Sequence, residues 1–354
     1  MAGKLAAPQS AAELRARWEQ LRTARRLRNR DAAEVLGVSE AELIATMVGE
    51  RATRLGGDFR ELLRRAGELG EVLALTRNHA CVHEKDGAYE NVSWDGPVGL
   101  ALGERIDLRL FFAHWRYGYA CAEPGPDGLR RSLQFFDAAG EAVHKIFLRA
   151  HSSVVGYESL VAAFAAPDQT PGERVVEAPA PPTEAPDGSI DVDGFRAAWA
   201  AMQDTHEFFA LLKRFGVTRT QGLRLAGDQF AASAPPARVQ ALLEAVARDA
   251  LPIMVFVGNR GCIQIHSGPV RHIKAMDRWL NVLDPGFNLH LRQDLVDRAW
   301  IVRKPTADGV VTSLELFDRE GRTIAMLFGQ RKPGVPELPA WRETLDRLFP
   351  EAAR

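Results

Sequence analysis

The stretch that decides the fold is Ser132-Leu133-Gln134-Phe135-Phe136-Asp137-Ala138-Ala139-Gly140, because it returns 181 residues later as Ser313-Leu314-Glu315-Leu316-Phe317-Asp318-Arg319-Glu320-Gly321. Around this pair, residues 71–149 repeat at the same spacing without a gap. Further matching positions are Asn78 and Asn259, Cys81 and Cys262, Leu108 and Leu289, Leu110 and Leu291, Pro124 and Pro305, Asp127 and Asp308, and Phe147 and Phe328. A repeat of this length indicates two copies of one structural unit.

The composition of the repeat predicts its structure. From Val72 onward, short β-branched and aromatic runs are interrupted by Gly, Pro and Asp, as an antiparallel sheet of hairpins requires. Residues 11–70 are rich in Ala, Leu, Glu and Arg and predict helices. Residues 220–247 and 341–349 predict further helices around the second sheet, which should begin near Pro252. We therefore predict an α+β fold in which a unit of helices plus a large antiparallel sheet is duplicated with pseudo-two-fold symmetry.

A proline-rich segment separates the two copies. Residues 166–188 contain few large apolar side chains and cannot bury enough surface to fold alone. The sequence thus predicts an N-terminal repeat at 1–165, an extended linker at 166–188 and a C-terminal repeat at 189–354.

Composition excludes several classes of protein. The chain has 354 residues, a formal net charge of -1 and 46% hydrophobic residues, which is ordinary for a globular protein and gives no global reason to bind nucleic acid. Residues 1–10 lack the apolar core of a signal peptide, and no apolar run approaches the roughly 18–20 residues that span a bilayer. The cysteines Cys81, Cys121 and Cys262 show no zinc or iron–sulfur spacing. We expect a cytoplasmic protein without membrane insertion.

One short helix carries a candidate metal ligand. In residues 204–216, Phe208, Leu211, Leu212 and Phe215 form an apolar stripe, and Gly216 predicts the end of the helix; Asp204 and Glu207 fit a capping box. His206 would lie in the first turn, where the positive end of the helix dipole favours a neutral imidazole that can bind a metal. Spacing alone leaves two interpretations open, a metal ligand and an ordinary hydrogen-bonded histidine.

A candidate DNA-binding motif lies near the N-terminus. Residues 30–45 have the alanines, the central Gly37 and the downstream leucine of a helix-turn-helix, and Arg22, Arg25, Arg26 and Arg28 precede them. Glu34, Glu40 and Glu42 surround the recognition helix, which opposes DNA binding. A DNA-binding regulator that uses residues 22–46 is nevertheless the alternative function.

Three motifs resemble one family. Asp204-Thr205-His206-Glu207-Phe208-Phe209, residues 30–43, and Met254-Val255-Phe256-Val257-Gly258-Asn259 are together similar to the cytoplasmic hemin-transport and hemin-degrading factors. The resemblance covers nearly the whole chain. It implies that haem b lies in a cleft between the two halves and that His206 is the axial ligand of its iron.

The resemblance also implies the other site residues. Arg109 would lie on the haem face opposite His206, where a guanidinium can donate hydrogen bonds to an iron-bound ligand. Lys304 and Arg331 would lie near the propionates, and Met254, Phe256 and Phe328 would form apolar walls. Met326 and Phe328 depart from the family, which has glutamine and tyrosine there. His290, which matches Arg109 in the repeat, is the next candidate ligand.

The functional expectation is a protein that accepts imported haem and delivers it to, or takes part in, haem degradation for iron acquisition. Its partners would be haem and a haem oxygenase or haem importer. No flavin or nicotinamide fingerprint is present in the sequence, so degradation would need an external electron donor. A haem-responsive regulator that binds DNA through residues 22–46 remains the alternative.

Overall fold

The computed structural model describes residues 10–25, 27–125, 128–332 and 334–352. Arg26 and Asp127, which the sequence arguments use, lie outside these ranges, as do residues 1–9. Contacts divide the chain into two units. The first comprises 1–77, 84–179 and 259–264; the second comprises 78–83, 180–258 and 265–354.

Helices and strands follow the predicted α+β pattern. The helices of the described residues are α1 (Ala11–Arg25), α2 (Asn29–Leu36), α3 (Glu40–Ala45), α4 (Phe59–Arg65), α5 (Val154–Phe164), α6 (Val192–Ala200), α7 (Glu207–Phe215), α8 (Arg219–Ala226), α9 (Val239–Arg248) and α10 (Pro339–Leu348). The strands of the first half are β1 (Ala52–Leu55), β2 (Val72–Arg77), β3 (Cys81–Gly87), β4 (Val92–Asp95), β5 (Val98–Leu102), β6 (Asp107–Phe111), β7 (Tyr117–Gly125), β8 (Gly128–Phe136) and β9 (Ala142–Leu148). Those of the second half are β10 (Ala231–Ala234), β11 (Ile253–Gly258), β12 (Cys262–Gly268), β13 (Ile273–Met276), β14 (Trp279–Asp284), β15 (Phe287–Arg292), β16 (Arg298–Thr306), β17 (Gly309–Phe317) and β18 (Thr323–Gly329).

The first unit is built on antiparallel strands in the order β1-β7-β8-β9-β2, with β4, β5 and β6 as a separate meander. Alternate residues of these strands enter two hydrophobic clusters. One contains side chains of α1, α2 and α3, and the other contains side chains of α4 and α5. Helices therefore cover both faces of the five strands.

The second unit repeats this plan. Its strands run β10-β16-β17-β18-β11, and β13, β14 and β15 form the meander. Helices α6, α7 and α8 share a cluster with Val302 and Phe317, whereas α9 and α10 pack against Ile301, Leu314 and Leu316. The predicted duplication of a helix-plus-antiparallel-sheet unit is thus confirmed. Consecutive strand residues such as Ile301 and Val302 face different helix layers.

Two short strands correct the sequence prediction. Ala52–Leu55 and Ala231–Ala234 lie in stretches that composition predicts as helical, but they pair with β7 and β16. A four-residue segment gains its conformation from pairing with a distant strand, which local propensity does not encode. The start of α7 is also different from prediction: His206 is the N-cap, its side chain makes no capping bond, and Asp204 and Glu207 form no capping box.

The helix-turn-helix segment is present but faces inward. Gly37 ends α2 with a φ of 70°, and Ser39 begins α3 with a capping box to Glu42. Every residue of α3 except Glu42 is buried, and Glu40 is ion-paired to Arg77 and Lys145. A recognition helix needs an exposed face to enter a DNA groove, so the described residues give no support to the DNA-binding alternative.

Among the described residues, no helix combines the length and apolar character needed to span a bilayer.

Candidate functional site

His206 stands at the start of α7 with its imidazole in solvent. The side chain is 87% exposed. Oδ1 of Asp204 accepts hydrogen bonds from the backbone N–H of His206 at 2.8 Å and from ring Nδ1 at 2.6 Å. The backbone bond lowers the pKa of Asp204 most strongly, followed by the ring contact. Because an ionised carboxylate can only accept, Nδ1 carries a proton, and in the neutral imidazole the lone pair is therefore on Nε2.

Helix α7 is fixed by its apolar stripe. Phe208, Leu211 and Leu212 are buried, as their spacing predicts, and Gly216 ends the helix with a φ of 65°. The ring of Trp199 meets that of Phe208 edge-on, with centroids 4.6 Å apart. Nε1 of Trp199 in turn donates to the carbonyl of Arg303 at 3.0 Å. The helix that follows His206 is thereby tied to strand β16.

A buried ionic cluster lies beneath α7. The carboxylate of Glu315, which is fully buried on β17, accepts from Nε and Nη2 of Arg219 at 2.7 and 2.8 Å. It also accepts from Nζ of Lys304 at 2.7 Å and from the hydroxyl of Ser313 at 3.1 Å. Two cations thus share one carboxylate, which leaves the cluster with a net positive charge.

The cluster is ionised at neutral pH. Burial alone would raise the pKa of Glu315, but Arg219 and Lys304 hold that pKa far below its ordinary value. Burial lowers the pKa of Lys304 to about 8, against the opposing attraction of Glu315. Its ammonium therefore remains protonated at pH 7.

Four apolar side chains form a half-buried platform on the same sheet. Met254 is paired with Phe328 and Phe256 with Met326 across β11 and β18, so all four project from one face. Their alternating neighbours are buried in the cluster below α9 and α10. The rings of Phe256 and Phe328 lie 5.0 Å apart. This face, named here the apolar platform, can bury a flat hydrophobic ligand.

Cations border the platform. Nζ of Lys304 lies 6.0 Å from the ring centroid of Phe328, but Lys304 is only 3% exposed and paired with Glu315. Arg331 follows β18, contacts Asp308 at 3.3 Å and contributes to the lowered pKa of Asp204. A propionate role for Lys304 and Arg331 stays a prediction.

Arg109 belongs to the first unit, whereas the other predicted site residues belong to the second. Ile106, Leu108 and Leu110 are buried, and Arg109 is half-buried on the opposite face of β6, as the alternation predicts. Its guanidinium is ion-paired with Asp107 on the same face and contacts the carbonyl of Leu108 at 3.3 Å. Its role towards bound haem stays a prediction.

Three other histidines have hydrogen-bond partners of their own. Nδ1 of His290 lies 2.7 Å from Oδ1 of Asn281. His272 is exposed and pairs with Asp284 at 2.7 Å, and His144 is buried between Thr76 and Tyr89. No group of three His, Cys, Asp or Glu side chains within the described ranges could hold a metal ion. A single histidine ligand suits haem, whose macrocycle supplies the other nitrogen atoms.

Arg219 and Glu315 are two site residues that the sequence did not predict. Glu315 lies between Leu314 and Leu316, so simple alternation places it on a solvated face. The matching residue of the first copy, Gln134, is also polar and buried, so the two copies share an inward-facing polar position that alternation in the sequence does not reveal.

Comparison with known proteins supplies the family. The model of the haemin-degrading HemS.ChuX domain matches residues 37–164 and 216–348. The hemin transport protein HmuS of Yersinia pestis is 42% identical over 90% of this chain and 92% of its own length. A crystal structure of holo-PhuS, a heme-binding protein from Pseudomonas aeruginosa, superposes with a TM-score of 0.93. Its sequence is 49% identical to this one, and the match covers 95% of this chain and 98% of that chain.

A second solved structure has the same fold. The E. coli heme oxygenase ChuS is 38% identical, with a TM-score of 0.85, over 95% of this chain and 99% of that one. Identities of this size over nearly complete chains agree with the two separate domain matches. This chain therefore belongs to the haemin-degrading HemS.ChuX family and carries two copies of its domain.

Proposed function

We propose that this chain binds haem through Nε2 of His206 and passes it on for iron acquisition. The observation that carries the proposal is the Asp204–His206 pair, which fixes the tautomer and exposes the nitrogen that metals bind. When bound, haem supplies an iron that accepts this nitrogen as an axial ligand. The relatives named above as hemin transport and heme-binding proteins support haem as the ligand.

The surroundings of α7 fit a haem. The apolar platform offers four side chains for the macrocycle, and burying such surface contributes roughly 25 cal/mol per Å². Arg219 is 25% exposed, and its cluster has more positive than negative charge, so it can attract a propionate. These features agree with haem b, which carries two carboxylates on one edge.

Delivery is the role that we favour, with degradation as an activity that an external electron donor would support. A haem importer on one side and a haem oxygenase on the other are the partners that such a carrier would need, and the cytoplasm is the compartment in which it would meet them. The chain is related both to a hemin transport protein and to a heme oxygenase, which is why the proposal includes both delivery and degradation.

A hemin titration tests the binding. The protein should bind about one hemin per chain with a Soret band that is lost or clearly shifted in His206→Ala. The matched control is His272→Ala, because His272 is also exposed and also paired with a carboxylate at Asp284. Equal titrations for His206→Ala and the native chain would reject His206 as the ligand.

A second experiment separates delivery from degradation. The hemin complex is mixed with an apo-haem oxygenase, or separately with a chemical reductant in air, and the Soret band is followed. Transfer predicts that the band moves to the acceptor with its intensity preserved. Turnover predicts loss of the band in the absence of any acceptor, together with iron that a ferrous chelator can capture.

A further inference from the structure

Two cations that share the Glu315 carboxylate contact the ring of Phe208. Nζ of Lys304 lies 4.5 Å from the centroid of this ring, and the Cζ of Arg219 lies 5.0 Å from the same centroid. Trp199 contacts the ring edge-on. Phe208 is only two residues beyond His206 and is 2% exposed. This buried ring therefore anchors the first turn of α7, next to the backbone that carries the imidazole.

Glu315 holds both cations in place. The four hydrogen bonds to its carboxylate come from Arg219, Lys304 and Ser313. Without a negative charge at this point, buried Lys304 and half-buried Arg219 would repel one another beside the Phe208 ring. Cation–π contacts are stronger when desolvated, so their geometry depends on the residue that gathers the cations.

The first unit has a similar ion pair between the start of a helix and the sheet, but with the charges reversed. Helix α3 follows Gly37 and the N-cap Ser39 just as α8 follows Gly216 and the N-cap Thr218. The first residue of α3 is Glu40, whereas that of α8 is Arg219. Lys145 and Arg77 neutralise Glu40 from the sheet, just as Glu315 neutralises Arg219. Either polarity can fasten a helix to its sheet. Only the polarity of the second unit requires a buried carboxylate on the strand.

We infer that Glu315 is a positioning residue for the haem ligand: it holds Lys304 and Arg219 against Phe208 and thereby fixes the start of α7 and the imidazole of His206. The inference rests on the proposed haem binding. Glu315 is completely buried. Its influence on haem therefore passes through the two cations that it binds, Lys304 and Arg219.

The test compares Glu315→Gln with Glu315→Asp and with Glu337→Gln. Glu337 is another buried carboxylate of the second unit, but it bonds to the backbone of Thr312 and to Arg342. Hemin dissociation is measured by transfer to excess apomyoglobin, and the iron–histidine stretching frequency is measured by resonance Raman spectroscopy of the ferrous complex. Glu315→Gln should release hemin roughly tenfold faster or more and shift the stretching frequency. Glu315→Asp should restore much of both, and Glu337→Gln should match the native chain.

A double-mutant cycle with Phe208→Leu tests whether Glu315 acts on the haem ligand through Phe208. If Glu315 acts through Phe208, the double variant Glu315→Gln/Phe208→Leu should dissociate hemin hardly faster than either single variant. Additive effects, or native values for Glu315→Gln in both measurements, would overturn the inference. Should Glu315→Gln fail to fold, Lys304→Met decides, because it removes one cation and keeps the Arg219–Glu315 pair. Native dissociation and stretching frequency in Lys304→Met would then overturn it.

His206→Ala separates this inference from the proposed function. Loss of the Soret band in His206→Ala together with native behaviour of Glu315→Gln would leave haem binding intact and remove only the positioning role. Native hemin binding by His206→Ala would remove both.

Discussion

Oδ1 of Asp204 lies 2.6 Å from Nδ1 of His206, and the same geometry recurs at 2.7 Å between Asp284 and His272. Both imidazoles are exposed, and both pairs fix the tautomer that leaves Nε2 available. What distinguishes the first pair is its setting at the start of an anchored helix that packs on the sheet bearing the apolar platform. This adjoining surface for the macrocycle favours His206 over His272 as the proposed haem ligand.

Asp204→Asn should weaken hemin binding without removing the ligand. The amide can still accept from Nδ1, but it no longer carries the charge that makes the imidazole a stronger donor. We expect hemin to dissociate roughly tenfold faster, by analogy with other outer partners of metal-bound histidines. Transfer to apomyoglobin measures the rate, and Asp284→Asn is the control. Identical rates for the two variants would show that the Asp204 charge does not reach the iron.

Substitutions of Arg109 and of its partner Asp107 should shift the same pH-dependent spectral transition in opposite directions. If Arg109 donates to a hydroxide on ferric iron, its positive charge lowers the pH at which bound water ionises. Arg109→Ala should then raise the midpoint of that spectral transition. Asp107→Asn should lower it, because the guanidinium loses the carboxylate that now holds it. The control is Arg105→Ala, since Arg105 is exposed and paired with Glu71. Midpoints that move together, or not at all, would exclude Arg109 from the site.

Phe256→Ala should weaken hemin binding more than it weakens the fold. The ring is half-buried and contacts Phe328, so its removal takes apolar surface from the platform without opening a deep cavity. Full burial of such a side chain by a ligand is worth about 1.5–3 kcal/mol, which sets the upper limit of the loss. A hemin titration measures it. Val310→Ala, at an exposed strand position outside the platform, is the control. Equal affinities would place the macrocycle elsewhere.

Most of the fold follows from the repeat, because alternation and spacing specify strands and an exact offset specifies that they occur twice. The unit boundaries are less accessible. Residues 78–83 group with the second unit and residues 259–264 with the first. Each of these segments begins at an asparagine whose side-chain amide donates to backbone carbonyls far away in the sequence. Asn78 donates to Gly258 and Ile324, and Asn259 donates to Arg77 and Val143. The asparagines are visible in the sequence, but their distant backbone partners are not. The predicted linker at 166–188 stays a prediction.

The site divides in the same way. His206, the platform and the face of Arg109 could be predicted, because each depends on a local pattern and a family motif. The ionic cluster could not, since Arg219 and Glu315 are 96 residues apart and meet only when α8 covers β17. A strand pattern distinguishes two faces without revealing what covers each. For the same reason, the sequence does not reveal that Lys304 is almost completely buried and paired with Glu315.

Glu40 should make the stability of the first unit depend on acid pH. Burial would raise its pKa, but Lys145 and Arg77 lower that pKa from its usual 4.5 to about 2. Between these two pH values the unfolded chain binds more protons than the folded one, so stability rises with pH. The contribution, on the order of 3 kcal/mol, is complete above the unfolded pKa and disappears as the pH falls towards 2.

Hydrogen exchange of the α3 amides measures this contribution locally. Glu40→Gln should exchange much faster than the native chain at pH 7, because Lys145 and Arg77 lose their buried counter-charge. After correction for the intrinsic pH dependence of exchange, the difference between the two proteins should shrink steadily from pH 5 to pH 3. Glu42→Gln, two residues along the same helix, is the control, because glutamine can keep the capping box. A difference that stays constant over this pH range would mean that the Glu40 carboxylate is not the group whose protonation loosens α3.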